Sequence, residues 1–141
     1  MRILVTGSRD FADLAAVRRA LAEVTAGRRR PHTLVHGAAR GADHLAAIAA
    51  RINGWQVEVY AAAWTAPCLP ECQPDCRKIR RDGTSYCRAA GYYRNQHMVD
   101  LGADVLVAFF KTGARNSGTR DCVRRAQSAG IPVHPYPKGA M

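Results

Sequence analysis

The sequence predicts an α/β fold built on a doubly wound parallel sheet. Three observations carry that expectation. Short apolar runs alternate with stretches of helical spacing, as strands and crossover helices do. One run, Val105-Leu106-Val107-Ala108-Phe109-Phe110, is apolar throughout, the pattern of a strand buried on both faces. Two runs end in glycine-containing turns that pass straight into helical spacing: Thr6-Gly7-Ser8-Arg9-Asp10 and His36-Gly37-Ala38-Ala39-Arg40-Gly41-Ala42-Asp43.

Residues 2–6 read as the first strand, and Leu14, Val17, Leu21 and Val24 then line one face of a helix. Gly27 and Pro31 bracket a basic loop, Arg28-Arg29-Arg30, before a second strand at 32–36. Leu45, Ile48, Ala49 and Ile52 mark a second helix, stopped by Asn53-Gly54. Residues 56–61 suit a third strand. Residues 62–90 break the rhythm with three prolines and four of the five Cys. They read as a Cys-rich insertion at about 65–89, stabilised by something other than a core. Helical spacing resumes from Arg94 to Leu101 and ends at Gly102. The apolar run 105–110 is the fourth strand, followed by a polar turn from Lys111 to Gly118. A last helix buries Cys122, Val123 and Ala126, Gly130 ends it, and Ile131 to Tyr136 form a fifth strand. Right-handed crossovers then favour the strand order 3-2-1-4-5. The switch point falls between the first and fourth strands. Residues 6–10 and 111–119 should form opposite lips of one cleft.

At 141 residues the chain is expected to form one domain, 1–141. No apolar run reaches membrane-spanning length and no signal peptide opens the chain, so a cytoplasmic protein is expected. Its five Cys are then thiols or metal ligands rather than disulfides. A net charge of +10, from 21 Lys+Arg against 11 Asp+Glu, favours anionic partners.

A strand that ends in Gly and turns into a helix converges backbone N–H groups with the positive end of the helix dipole. Gly7, Ser8 and Arg9 fit that use, though the same turn serves as a plain connection with Asp10 as helix cap. Gly37, Gly41 and Ala42 are small enough to allow close backbone approach at a second helix start, and Arg40 on the same turn is expected to line the cleft. Their spacing is neither a dinucleotide fingerprint nor a Walker loop. Ser117, Gly118 and Thr119 open the last helix, where Ser117 would serve equally as a simple cap. Arg94 and Asn95 open the helix before it, and a guanidinium there can pair with phosphate.

Together these blocks resemble the SLOG superfamily, which unites the DprA/Smf DNA-processing proteins with the LOG phosphoribohydrolases. The nearest branch is the small, stand-alone YspA/YpsA-related one. The matching residues are 1–10, 36–43, the Trp64 region, Ala90-Gly91-x-x-Arg94-Asn95-x-x-Met98-Val99, Gly102-Ala103-Asp104 and Ser117-Gly118-Thr119. The resemblance implies a Rossmann-like fold binding a nucleotide or nucleotide-derived ligand, often as a homodimer. It also implies two catalytic positions in the LOG enzymes. Arg94 matches the first. At the second, a Glu in those enzymes, stands Cys122, with Asp121 one residue early and so rotated by about 100° on the helix. Arg94 and Asp121 are the catalytic candidates that remain. Schiff-base chemistry with pyridoxal phosphate is not expected, because of the three Lys only Lys111 lies near the cleft.

Cys68, Cys72, Cys76 and Cys87 form a second constellation. Four thiols in one proline-rich loop suit a structural zinc ion, which would supply folding energy the loop lacks. Scattered thiols are the plainer alternative, and Cys122 reads as core. Arg77, Lys78, Arg80 and Arg81, with Tyr86, Tyr92 and Tyr93 nearby, suit a nucleic-acid surface as well as a solvated loop. Two function classes follow. One is a nucleotide-binding cleft, acting as sensor or hydrolase. The alternative is a single-stranded nucleic-acid module akin to DprA.

Overall fold

The computed structural model describes residues 1–141. The elements run β1 (Arg2–Gly7), α1 (Leu14–Thr25), β2 (Thr33–His36), α2 (Ala42–Ile52), β3 (Gln56–Val59), β4 (Arg77–Ile79), β5 (Ser85–Cys87), α3 (Ala90–Asp100), β6 (Val105–Phe109), α4 (Ser117–Ser128) and β7 (Val133–Tyr136). Five strands form a parallel sheet in the order β3-β2-β1-β6-β7. This is the expected order, with β6 and β7 as the fourth and fifth strands of the main sheet.

Alternation along β1 divides the core. Ile3 and Val5 pack with Val17 and Leu21 of α1 and the alanines of α2. Leu4, one residue out of phase, faces α3 and α4 with Met98, Cys122 and Val123. In β6, Val107 and Phe109 join the first layer while Leu106 and Ala108 join the second. Residues 1–59 thus supply three strands and both helices of one layer. Residues 90–136 supply two strands and both helices of the other.

The local readings need four corrections. The segment 65–89 is not wholly irregular: β4 and β5 form an antiparallel hairpin closed around Asp82-Gly83, with Gly83 at φ +87. Asp82 Oδ1 accepts from both the N–H and the hydroxyl of Thr84, at 2.9 and 2.6 Å. Next, α3 starts at Ala90, so Arg94 and Asn95 stand in its second turn. Its first turn buries the small residues Ala90 and Gly91, which leave no apolar periodicity to read. The cap of α1 is Asp13, whose Oδ1 accepts from Ala16 N–H at 2.9 Å, rather than Asp10. Finally, α4 is preceded by Asn116 in the left-handed region, with φ 53, so Ser117 is its first helical residue and not its cap.

One polar clamp spans the sheet. Arg2 on β1 reaches across β2 to Glu58 on β3 through two parallel hydrogen bonds of 2.7 and 2.8 Å. Tyr60 donates to the same carboxylate at 2.7 Å, and Arg2 Nε donates to Gly102 O at 2.9 Å. The Arg2 guanidinium and the Tyr60 hydroxyl together hold the Glu58 carboxyl down to about 2. Because the folded-state value is depressed, this stability is complete above the free-chain value of 4.5 and is lost as pH falls toward 2. Both side chains are partly exposed, so solvent screening limits the effect. Glu58→Gln should lower the unfolding free energy by about 1 kcal/mol at pH 7. Urea titrations over a pH series should show that difference vanishing near pH 2; an unchanged difference there would exclude the ion pair as its source.

Candidate functional site

The site begins where two turns dock. After β1, the Ser8 N–H donates to Phe109 O at 2.9 Å, and Ser8 O accepts from the N–H groups of Phe11 and Ala42, both at 3.2 Å. The turn therefore rests on β6 and on the first residue of α2 at once. Any Cβ on Gly7 would strike Ala42 Cβ and come within 2.8 Å of Phe109 Cβ. Gly41 holds φ +76 and lies against the carbonyls of Ser8 and Arg9, where a side chain has no room. Gly37 donates its N–H to Asp43 Oδ2 at 2.9 Å, and its carbonyl accepts from Arg94 Nη1.

A cleft of about 400 Å³ opens at the ends of β1 and β6, between that turn and residues 114–119. Gly7, Ser8, Arg9, Arg94, Asn95, Ser117, Gly118 and Thr119 line it, as do Trp64, Arg88, Tyr92 and Arg115. Gly37 and Arg40 instead line an adjoining depression of about 410 Å³, which shares Arg9, Trp64 and Arg94 with the cleft. Gly41 lines neither and supports the turn from behind. At the start of α4, Asn116 Oδ1 accepts from Lys111 N–H at 3.0 Å, and its amide donates to Lys111 O and Ala114 O. The N–H groups of Ser117, Gly118 and Thr119 meet no protein acceptor.

The cationic groups differ in their freedom. Arg9 is exposed and lies 5.7 Å over the Trp64 ring. Arg94 is half-buried and commits two of its nitrogens, Nε to Asn95 Oδ1 at 3.0 Å and Nη1 to Gly37 O. Burial holds its pKa below the ordinary arginine value, with the charge of Asp43 opposing. Asn95 is buried and braces the cleft floor, donating to Gly118 O at 3.3 Å and Asp121 Oδ2 at 3.1 Å. Asp121 also accepts from Arg124 and Arg125 at 2.7 and 2.8 Å, and it lies outside the cleft lining.

Sequence reasoning overlooked Asp43 as a site residue. It is 5% exposed, lines the cleft, and accepts through Oδ2 from the N–H groups of Gly37 and Ala39. Burial pushes its carboxyl up to about 6, against those N–H groups and the guanidiniums of Arg94 and Arg9. The signal was a lone acid directly after a Gly-Ala pair at a helix start, which reads first as a dipole contact.

The sulfur atoms of Cys68, Cys72, Cys76 and Cys87 all lie within 4.8 Å of one another. Cys87 Sγ is 3.7 Å from Cys72 Sγ and 3.6 Å from Cys76 Sγ, and none is in a disulfide. The cluster can hold a metal ion. It packs on Trp64 and Ala90, and Tyr93 Oη lies 3.3 Å from Cys72 Sγ. Arg77 pins the surrounding loop: its Nε donates to Ser85 Oγ at 3.0 Å and its Nη2 to Thr65 O at 3.2 Å. Arg80 lies 4.5 Å over the Tyr86 ring.

Comparison with known proteins agrees with this architecture. Residues 1–66 match the model of the YspA, cpYpsA-related SLOG family. The chain is 41% identical over 137 residues to the Gene 61 protein of Mycobacterium phage D29, spanning 94% of this chain and 93% of that one. The chain belongs to the SLOG family. The X-ray structure of DNA processing protein A (DprA) from Streptococcus pneumoniae shares the fold, with a TM-score of 0.66 at 18% identity. That match covers 99% of this chain and 51% of DprA, so the SLOG chain spans about half the larger protein.

Within this SLOG fold, Cys122 is fully buried in the α3–α4 layer. Burial pushes its thiol up to about 12, which removes it as a nucleophile near neutral pH. No helix is long and apolar enough to cross a membrane. The seating of the first turn is directly testable. Gly7→Ala should destabilise the protein by about 1–3 kcal/mol, the range for overpacking. Chemical denaturation reads this, and a loss under about 0.5 kcal/mol would show that Ala42 and Phe109 yield easily.

Proposed function

We propose that the cleft binds a nucleotide or nucleotide-derived phosphate ester, as a sensor or as a hydrolase. The carrying observation is the convergence of the three acceptor-free N–H groups of α4 with Arg9 and Arg94 on one cleft. A helix N-terminus and guanidiniums stabilise a shared anion through charge and directed hydrogen bonds. Family membership supports a nucleotide-related ligand. Turnover of the LOG type lacks its Glu, since Cys122 stands there. Arg9 makes the cleaner test because Arg94 also holds Gly37 O. Calorimetric titration with AMP should show saturable binding, and Arg9→Ala should weaken it by about 1.5–3 kcal/mol. The absence of any saturable mononucleotide binding would overturn the proposal.

The second reading is a single-stranded nucleic-acid module, favoured by Arg9 over Trp64 and by the exposed Tyr92 beside Arg88 at the cleft mouth. Bases stack on such groups. Oligonucleotide affinity that grows with length and falls steeply with salt would select this reading over the first.

The four-Cys cluster we assign to a structural zinc ion. Four thiolates about 2.3 Å from a tetrahedral zinc lie about 3.8 Å apart, close to the Cys72–Cys87 and Cys76–Cys87 separations. Purified protein should carry about one zinc per chain. Cys72→Ser should lose the metal and expose residues 65–89 to protease. Zinc-free protein purified without chelator would contradict the assignment.

A further inference from the structure

The cleft is rich in donors and holds one buried acceptor that no protein group satisfies. Asp43 Oδ2 takes the N–H groups of Gly37 and Ala39, at 2.9 and 3.3 Å, which fixes the plane of the carboxylate. Its Oδ1 accepts nothing from the protein. That oxygen is not sealed in the core either, since the orphaned buried side-chain atoms are His32 Nδ1 and His36 Nε2 alone. A carboxylate oxygen left open at the floor of a cleft is matched by a ligand that brings a hydrogen-bond donor.

We propose that Asp43 selects the ligand by accepting a hydrogen bond from a free sugar hydroxyl, so that the cleft takes ribose-bearing phosphate esters and discriminates against esters lacking those hydroxyls. The proposal rests on the nucleotide reading above. A bare anion gains nothing from Asp43 and is repelled by it. A ribonucleoside monophosphate offers both an anion for Arg9 and the start of α4 and donors for Oδ1. A DNA strand lacks the 2′-hydroxyl, and its internal 3′-oxygens are esterified and cannot donate. Asp43 therefore separates a ribonucleotide ligand from a single strand of DNA, which the basic residues alone do not.

The experiment compares AMP, 2′-deoxy-AMP and 2′,3′-dideoxy-AMP by calorimetry at pH 7.5 on wild-type protein and Asp43→Asn. Wild type should bind AMP at least about tenfold more tightly than the dideoxy analogue, as expected for a hydrogen bond to a charged group. The deoxy compound reports which hydroxyl is read. Asp43→Asn keeps the shape and removes the charge, and its preference should fall to within about threefold. Equal binding of AMP and dideoxy-AMP by wild type would overturn the role of Asp43 while leaving the nucleotide cleft standing. No binding of either would overturn both. The wild-type ratio decides the matter even should Asp43→Asn fail to fold, and full selectivity in a folded Asp43→Asn would assign the discrimination elsewhere.

Discussion

The close seating of the β1 turn on the start of α2 sets the geometry of everything at this edge of the sheet. Ser8 O receives the Ala42 N–H, Gly7 makes room for the Ala42 side chain, and Gly41 turns under the carbonyls of Ser8 and Arg9. With the backbones in contact, the next residue of α2 is Asp43, which is carried to the cleft floor, and Arg9 is lifted to its rim. A phosphate site alone would require only free N–H groups. These glycines are required for a different reason, the contact of one turn with another. Several of the N–H groups in the two turns are already committed, to Phe109 O, to Ser8 O and to Asp43. The donors left for an anion are concentrated on the opposite lip, at the start of α4.

The thiol cluster and the cleft are parts of one wall. Trp64 packs on the cluster and also lies under Arg9, and Ala90, packed on Cys76 and Cys87, begins the helix that carries Arg94 and Asn95. Holding the four sulfurs together therefore holds a cation–π pair and a helix start in place. The aromatic and cationic side of the cleft thus packs on a small thiol cluster outside the main hydrophobic layers.

What was legible in the chain followed from period and composition. The continuous apolar run at 105–110 and the Gly-terminated runs at 2–6 and 32–36 specify central parallel strands, and helical spacing between them specifies crossovers. The hairpin at 77–87 escaped because its strands are short and hold no apolar alternation, although Asp82-Gly83 is a recognisable turn pair. The start of α3 escaped because Ala90 and Gly91 are buried through smallness: a Cβ on Gly91 would come within 3.0 Å of Trp64. Asp43 stood in a block singled out for its glycines, yet its burial depends on the Gly37–Ala39 turn folding over it. That arrangement has no periodic signature.

The division of the chain into two halves has a mechanical corollary. The crossover from edge strand β3 to central strand β6 is the one place where the winding reverses, and the Cys-rich loop lies on that path. Either half is an incomplete sandwich, with a sheet face bare until the other arrives. The seam between them is the five-residue β1–β6 ladder, from Ile3 against Val105 to Gly7 against Phe109. That seam joins positions 102 residues apart in the chain. The cleft, which straddles that seam, exists only once the molecule has closed.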